Sequence, residues 1–83
     1  MFKIIIHVAN AMPAILDYRT REKAEKDFLD IQDILDGKIH ALTVKHKDDY
    51  GVIVSMPVER INYVLFVDVI KQQEIQVQNG QKS

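Results

Sequence analysis

The chain has 83 residues, 47% of them apolar and 28% charged, with a formal net charge of −1. That length allows one small domain, and the composition is that of a folded globular chain rather than a disordered one. The near-neutral charge offers no global field for nucleic acid or anionic membrane, and the absence of cysteine excludes disulfides, thiolate catalysis and zinc sites with sulfur ligands.

No stretch approaches the ~20 apolar residues of a membrane span. The start, MFKIIIHVA, is interrupted by His7 too soon for a signal peptide, so the expected location is the cytoplasm.

Phe2 to Ala9 alternates as a strand. Phe2, Ile4, Ile6 and Val8 form one face, expected to be core, with Lys3, Ile5, His7 and Ala9 on the other. Asn10-Ala11-Met12-Pro13 reads as a turn, followed by a weaker strand over Ala14 to Arg19 with Ala14, Leu16 and Tyr18 on one face. A hairpin is the simplest link between the two, and the neighbouring proline suits an edge strand.

Thr20 to Asp36 is the helix. Thr20 is a suitable N-cap, Glu22 lies in the first turn where the helix dipole favours acid, and Gly37 falls where a left-handed residue ends a helix. Ala24, Phe28, Ile31 and Leu35 form an apolar stripe widened by Ile34, with oppositely charged pairs such as Arg21–Glu25 on the wet side and Leu29 opposite the stripe. Asp27, Asp30, Asp33 and Asp36 recur at every third position as an acidic stripe, the simplest role of which is a solvated face.

Ile39 to Lys47 is the next strand, and Asp48-Asp49-Tyr50-Gly51 the turn after it. The densest β-branched run follows, from Tyr50 to Ile70, broken at Met56-Pro57. Proline cannot donate to a ladder, so one strand should stop near Met56 and Pro57-Val58-Glu59-Arg60 should make a short helical turn. The last strand then spans Ile61 to Ile70, with Ile61, Tyr63, Leu65, Val67 and Val69 on one face and Asn62, Val64, Phe66, Asp68 and Ile70 on the other. Both faces are largely apolar, as in a strand covered on two sides. A single helix covers only one of them.

The expected fold is α+β: an antiparallel sheet of four to five strands with one helix on one face, in the order β-β-α-β-β-β. The three strands after the helix are expected to form a meander. Residues 1–70 make the domain, and 71–83 form a glutamine-rich polar tail with a short alternating stretch, Glu74 to Gln78, able to act as an edge strand.

No catalytic constellation emerges, and no motif points to a known family. His7, His40 and His46 lack metal-ligand spacing, and His40 and His46 would lie roughly 20 Å apart on a strand. Asp48 and Asp49 read as turn residues, Thr43 and Ser55 have no adjacent base, and the three isolated glycines make no phosphate loop. Neither a metal nor a cofactor is therefore expected.

A small non-enzymatic module that self-associates through the second sheet face is the leading expectation. Its interface candidates are Ile5, Ile53, Val64, Phe66 and Ile70, or their opposite-face counterparts. A different protein partner would serve the same surface. The alternative is a sheet that binds single-stranded nucleic acid or another anionic ligand, with Tyr18, Tyr63 and Phe66 for stacking and Lys3, Lys45, Lys47 and His46 for charge. Twelve acidic residues weigh against it. A site formed between subunits, drawing on His7, His46 or Tyr63, is the form an enzyme would take.

Overall fold

The computed structural model describes residues 1–69. Ile70 and the tail over 71–83 lie outside the described residues. The element order is β1 (Phe2–Val8), β2 (Ala14–Tyr18), α1 (Arg21–Leu35), β3 (Thr43–Lys47), β4 (Ile53–Pro57), a 3-10 turn (Val58–Arg60) and β5 (Ile61–Asp68). The class is α+β, with one helix and five strands among the described residues, in the order expected.

The strands divide between two antiparallel sheets, one of three strands ordered β2-β1-β5 and one of two, β3-β4. The expected meander stops after β4. Pro57 ends that strand, the 3-10 turn redirects the chain, and β5 crosses over to pair with β1. Val58 N–H donates to the Leu42 carbonyl at 3.0 Å and Ala9 N–H to the Arg60 carbonyl at 2.9 Å, so the turn is tied to both sheets.

The core lies between the three-stranded sheet and the helix. Ile4 and Ile6 on β1, Leu16 and Tyr18 on β2, and Ala24 and Ile31 on α1 are fully buried. Val44 and Val54 extend this core under the hairpin, and Ile61 and Val64 close it on β5. A fully buried aliphatic side chain adds about 1.5–3 kcal/mol, so this cluster supplies most of what a chain of this length can gather.

The helix ends follow from the residues at them. Thr20 is extended and its hydroxyl accepts from Lys23 N–H at 3.4 Å, and Gly37 takes φ +79° just past the Asp36 C-cap. The Arg21–Glu25 pair forms at 2.6 Å, while Leu29 stays exposed. The strand expected from Ile39 begins only at Thr43; Gly37 to Leu42 form a bent connection, and His40 lies in it rather than on β3.

Pairing of β1 with β5 carries one irregularity. Ile6 faces Val64 and His7 faces Tyr63, but Val8 faces Ile61, which leaves Asn62 as the extra residue of a bulge. The bulge changes the phase of β5. Ile61, Val64 and Phe66 all point toward the helix, a set that simple alternation assigns to two different faces.

Candidate functional site

Three places concentrate chemistry or exposed apolar surface, and each is built by the fold rather than by a local motif. The first is the face of the three-stranded sheet turned away from the helix. The register aligns Ile15, Ile5 and Leu65 in one row across β2, β1 and β5. Ile15 is 41% and Leu65 43% exposed, with Ile5 between them partly covered by its neighbours. The row on one side is Asp17, Lys3 and Val67, with Lys3 Nζ 3.4 Å from Asp17 Oδ1. On the other side the His7 imidazole stacks on the Tyr63 ring, centroids 4.3 Å apart and planes 19° from parallel. An aliphatic band therefore runs across the sheet between an ion pair and an aromatic stack.

This geometry decides which interface candidates reach the surface. Val64 is buried and Phe66 packs against the core beside Phe28, so the helix covers that set, and the opposite-face residues Tyr63 and Leu65 are outward. Ile5 is on the open face. Ile53 is 58% exposed, but on the outer face of the separate hairpin next to Lys47, away from Ile5. Ile70 lies outside the described residues.

The second place is the seam between α1 and β3. Tyr18 hydroxyl donates to Asp27 Oδ2 at 2.7 Å. His46 Nδ1 lies 3.7 Å from the same Asp27 oxygen, and His46 Nε2 lies 3.0 Å from Asp30 Oδ2. Burial, and next the hydrogen bond to Asp27, push the Tyr18 phenol well above its ordinary pKa, so it stays protonated and donating. Asp27 and Asp30 are thus not simply part of a solvated acidic face. A shallow groove of about 450 Å³ opens beside them, lined also by Lys26, Leu29 and Asp33. Among the described residues no group of three or more His, Asp or Glu is placed to hold a metal ion.

The third place is the β3–β4 turn. Asp48 is buried, and its Oδ1 accepts from Tyr50 N–H (2.9 Å) and Val52 N–H (2.8 Å) while its Oδ2 accepts from Asp17 N–H (3.0 Å) on β2. Burial pushes its carboxyl up, but the three backbone donors, Asp17 first, outweigh this and hold it below the ordinary carboxylate range. Asp49 accepts from Arg19 N–H (2.8 Å) and from Lys23 Nζ (2.9 Å), and these two contacts lower its pKa as well. The pair is a clip that fastens the hairpin to β2 and the helix start. Gly51, at φ +87°, closes the turn.

His7 and Tyr63 are brought together, but His46 sits on the opposite side of the three-stranded sheet, with the helix. Tyr18 is buried and Phe66 is under α1, so of the three aromatics considered for base stacking only Tyr63 reaches the open face. No protein-family model matches the chain, and no curated protein is significantly similar to it. Among the described residues no helix is long and apolar enough to cross a membrane.

Proposed function

We propose that the chain is a cytoplasmic, non-enzymatic interaction module that associates with a second copy of itself through the open face of its three-stranded sheet. The observation that carries this reading is the Ile15–Ile5–Leu65 band. Ile15 and Leu65 are exposed on either side of a half-buried Ile5, three aliphatic side chains on three adjacent strands, while the helix covers the other face. Contiguous exposed apolar surface of this kind marks an interaction site more often than a plain surface, and a small core gains stability when association covers it. A core assembled without disulfides suits a reducing compartment.

Nucleic acid fits this face less well. Lys3, the basic residue on it, is engaged by Asp17, and Tyr63 is engaged by His7.

The test is the mass in solution of Ile15→Glu and Leu65→Lys variants, by light scattering over a concentration series. Each introduces a charge into the band without touching the helix-side core. The expected outcome is a parent that associates and folded variants that do so at least tenfold more weakly. Variants with parent-like circular dichroism and unchanged mass would remove the face from consideration.

A further inference from the structure

The two outer edges of the three-stranded sheet are treated differently. The C-terminal end of the β2 edge is taken by the hairpin turn: Asp17 N–H donates to Asp48, Asp49 N–H donates to the Asp17 carbonyl at 3.1 Å, and, just past the strand, Arg19 N–H donates to Asp49. The edge of β5 has no strand beside it among the described residues. It is also long. β5 runs eight residues, INYVLFVD, with no proline or lysine and a single charge, Asp68, at its end. Apart from the bulge at Asn62, one residue into the strand, this edge carries none of the usual devices against strand addition.

We propose that two copies of the chain pair antiparallel along the outer edges of β5, about a two-fold axis near Val64, joining two three-stranded sheets into one of six strands. This contact is distinct from the one through the open face: it uses backbone groups in the plane of the sheet, whereas the face contact uses side chains above it. Two further observations select a second copy as the occupant.

The first is charge. Arg60 is exposed immediately before β5, and Asp68 closes the strand. Antiparallel pairing of identical strands sets the basic start of each against the acidic end of the other, on both sides of the axis. Parallel pairing would set like against like. Asp68 also lies 3.6 Å from Arg21 of its own chain, so an incoming Arg60 would share an already paired carboxylate with a second cation, and each end contact is a modest one.

The second is the flank of the helix above this edge. Phe28 and Phe66, edge-on at 5.7 Å, line a groove of about 310 Å³ with Leu29, Arg21 and Glu25 between α1 and β5. Leu29 is 59% exposed. A two-fold axis at β5 brings the helices of both copies alongside each other, and the Phe28–Leu29 flank of one then roofs the groove of the other. A self-complementary surface of this sort is what an isologous dimer requires.

The decisive experiment mixes two single variants, Arg60→Asp and Asp68→Arg. In a dimer of either variant both end contacts bring like charges together. In a one-to-one mixture both contacts of the heterodimer are again opposite in sign. Sedimentation velocity of the full chain should show each variant associating about tenfold more weakly than the parent, and the mixture recovering to within about threefold of it. Circular dichroism shows that each variant is folded. A mixture that associates no better than its components overturns the proposal, as does a parent that stays monomeric at every concentration, its edge then being closed by another segment or a different protein. Ile15→Glu, on β2 and remote from this edge, separates the two contacts. If it leaves the parent's mass unchanged while the mixture still recovers, the face reading fails and the edge pairing stands.

Discussion

Replacing Asp48 with alanine should be the most damaging change on the hairpin, although the residue sits in a turn. Its side chain is 3% exposed and satisfies three backbone donors, those of Asp17, Tyr50 and Val52. A hydrogen bond to a charged group contributes about 1.5–3 kcal/mol, and a buried donor left unmatched costs about 1–3 kcal/mol. Tyr50 and Val52 are in an exposed turn where water can replace the carboxylate, so the Asp17 donor carries most of the penalty. The expected loss is about 2–4 kcal/mol, against a total of about 4–12 kcal/mol for a domain of this length. Urea unfolding followed by circular dichroism should show a lower midpoint with an unchanged slope. The same group gives a sign for acid. A carboxyl held below its ordinary value adds stability above that value and loses it as the pH falls through the depressed one. The parent should therefore weaken below about pH 4, the ordinary aspartate range, and Asp48→Asn should flatten that decline. A loss under about 0.5 kcal/mol in Asp48→Ala would refute the clip as an energetic feature.

Tyr18→Phe removes the hydroxyl that donates to Asp27 while keeping the ring in the core. Midpoint shifts should report a loss of about 1.5–3 kcal/mol, because a hydrogen bond to a charged acceptor is removed without a cavity. Gly51→Ala meets no atom within 4 Å of the added carbon, so only the backbone at φ +87° resists it; a loss of about 1 kcal/mol is expected in the same assay. The Ile15→Glu and Leu65→Lys masses test the open face, and the mixture of Arg60→Asp with Asp68→Arg tests the β5 edge.

Local signals were enough for β1 and the helix. The alternation of Ile4 and Ile6, the Thr20 cap and the Gly37 stop act within a few residues of themselves, and those two elements form where the signals put them, whereas β3 starts four residues later than expected. Partnering depends on contacts distant in sequence and was less legible. Nothing near Arg60 says that β5 leaves β4 for β1, because the redirection comes from a turn whose hydrogen bonds reach Leu42 and Ala9. The bulge at Asn62 moves Ile61 onto the face of Val64 and Phe66, which a strict period of two cannot express. That shift, together with the helix's choice of face, places Val64 and Phe66 under α1 and leaves Tyr63 and Leu65 outward. His46 offered one usable signal: alternation on β3 puts it on the face of buried Val44, and therefore toward α1.

The molecule is held together by two kinds of contact with different sensitivities. The helix meets the three-stranded sheet through aliphatic and aromatic side chains, Ile4, Ile6, Leu16, Ile31 and Val64 among them. The hairpin adds Val44 and Val54 to that core, but its turn and its helix-facing seam rest on carboxylates: Asp48 and Asp49 at the turn, Asp27 and Asp30 beside His46. Apolar burial does not depend on protonation, whereas the Asp48 and Asp49 carboxyls are both held below the ordinary carboxylate range by their donors, so protonating them weakens the turn's hold on β2 and the helix start. The clip also takes the Asp17 end of the β2 edge, so the carboxylate pair at the turn does two things at once: it fastens the smaller sheet and covers part of one edge of the larger one, whose β5 edge has no strand beside it among the described residues.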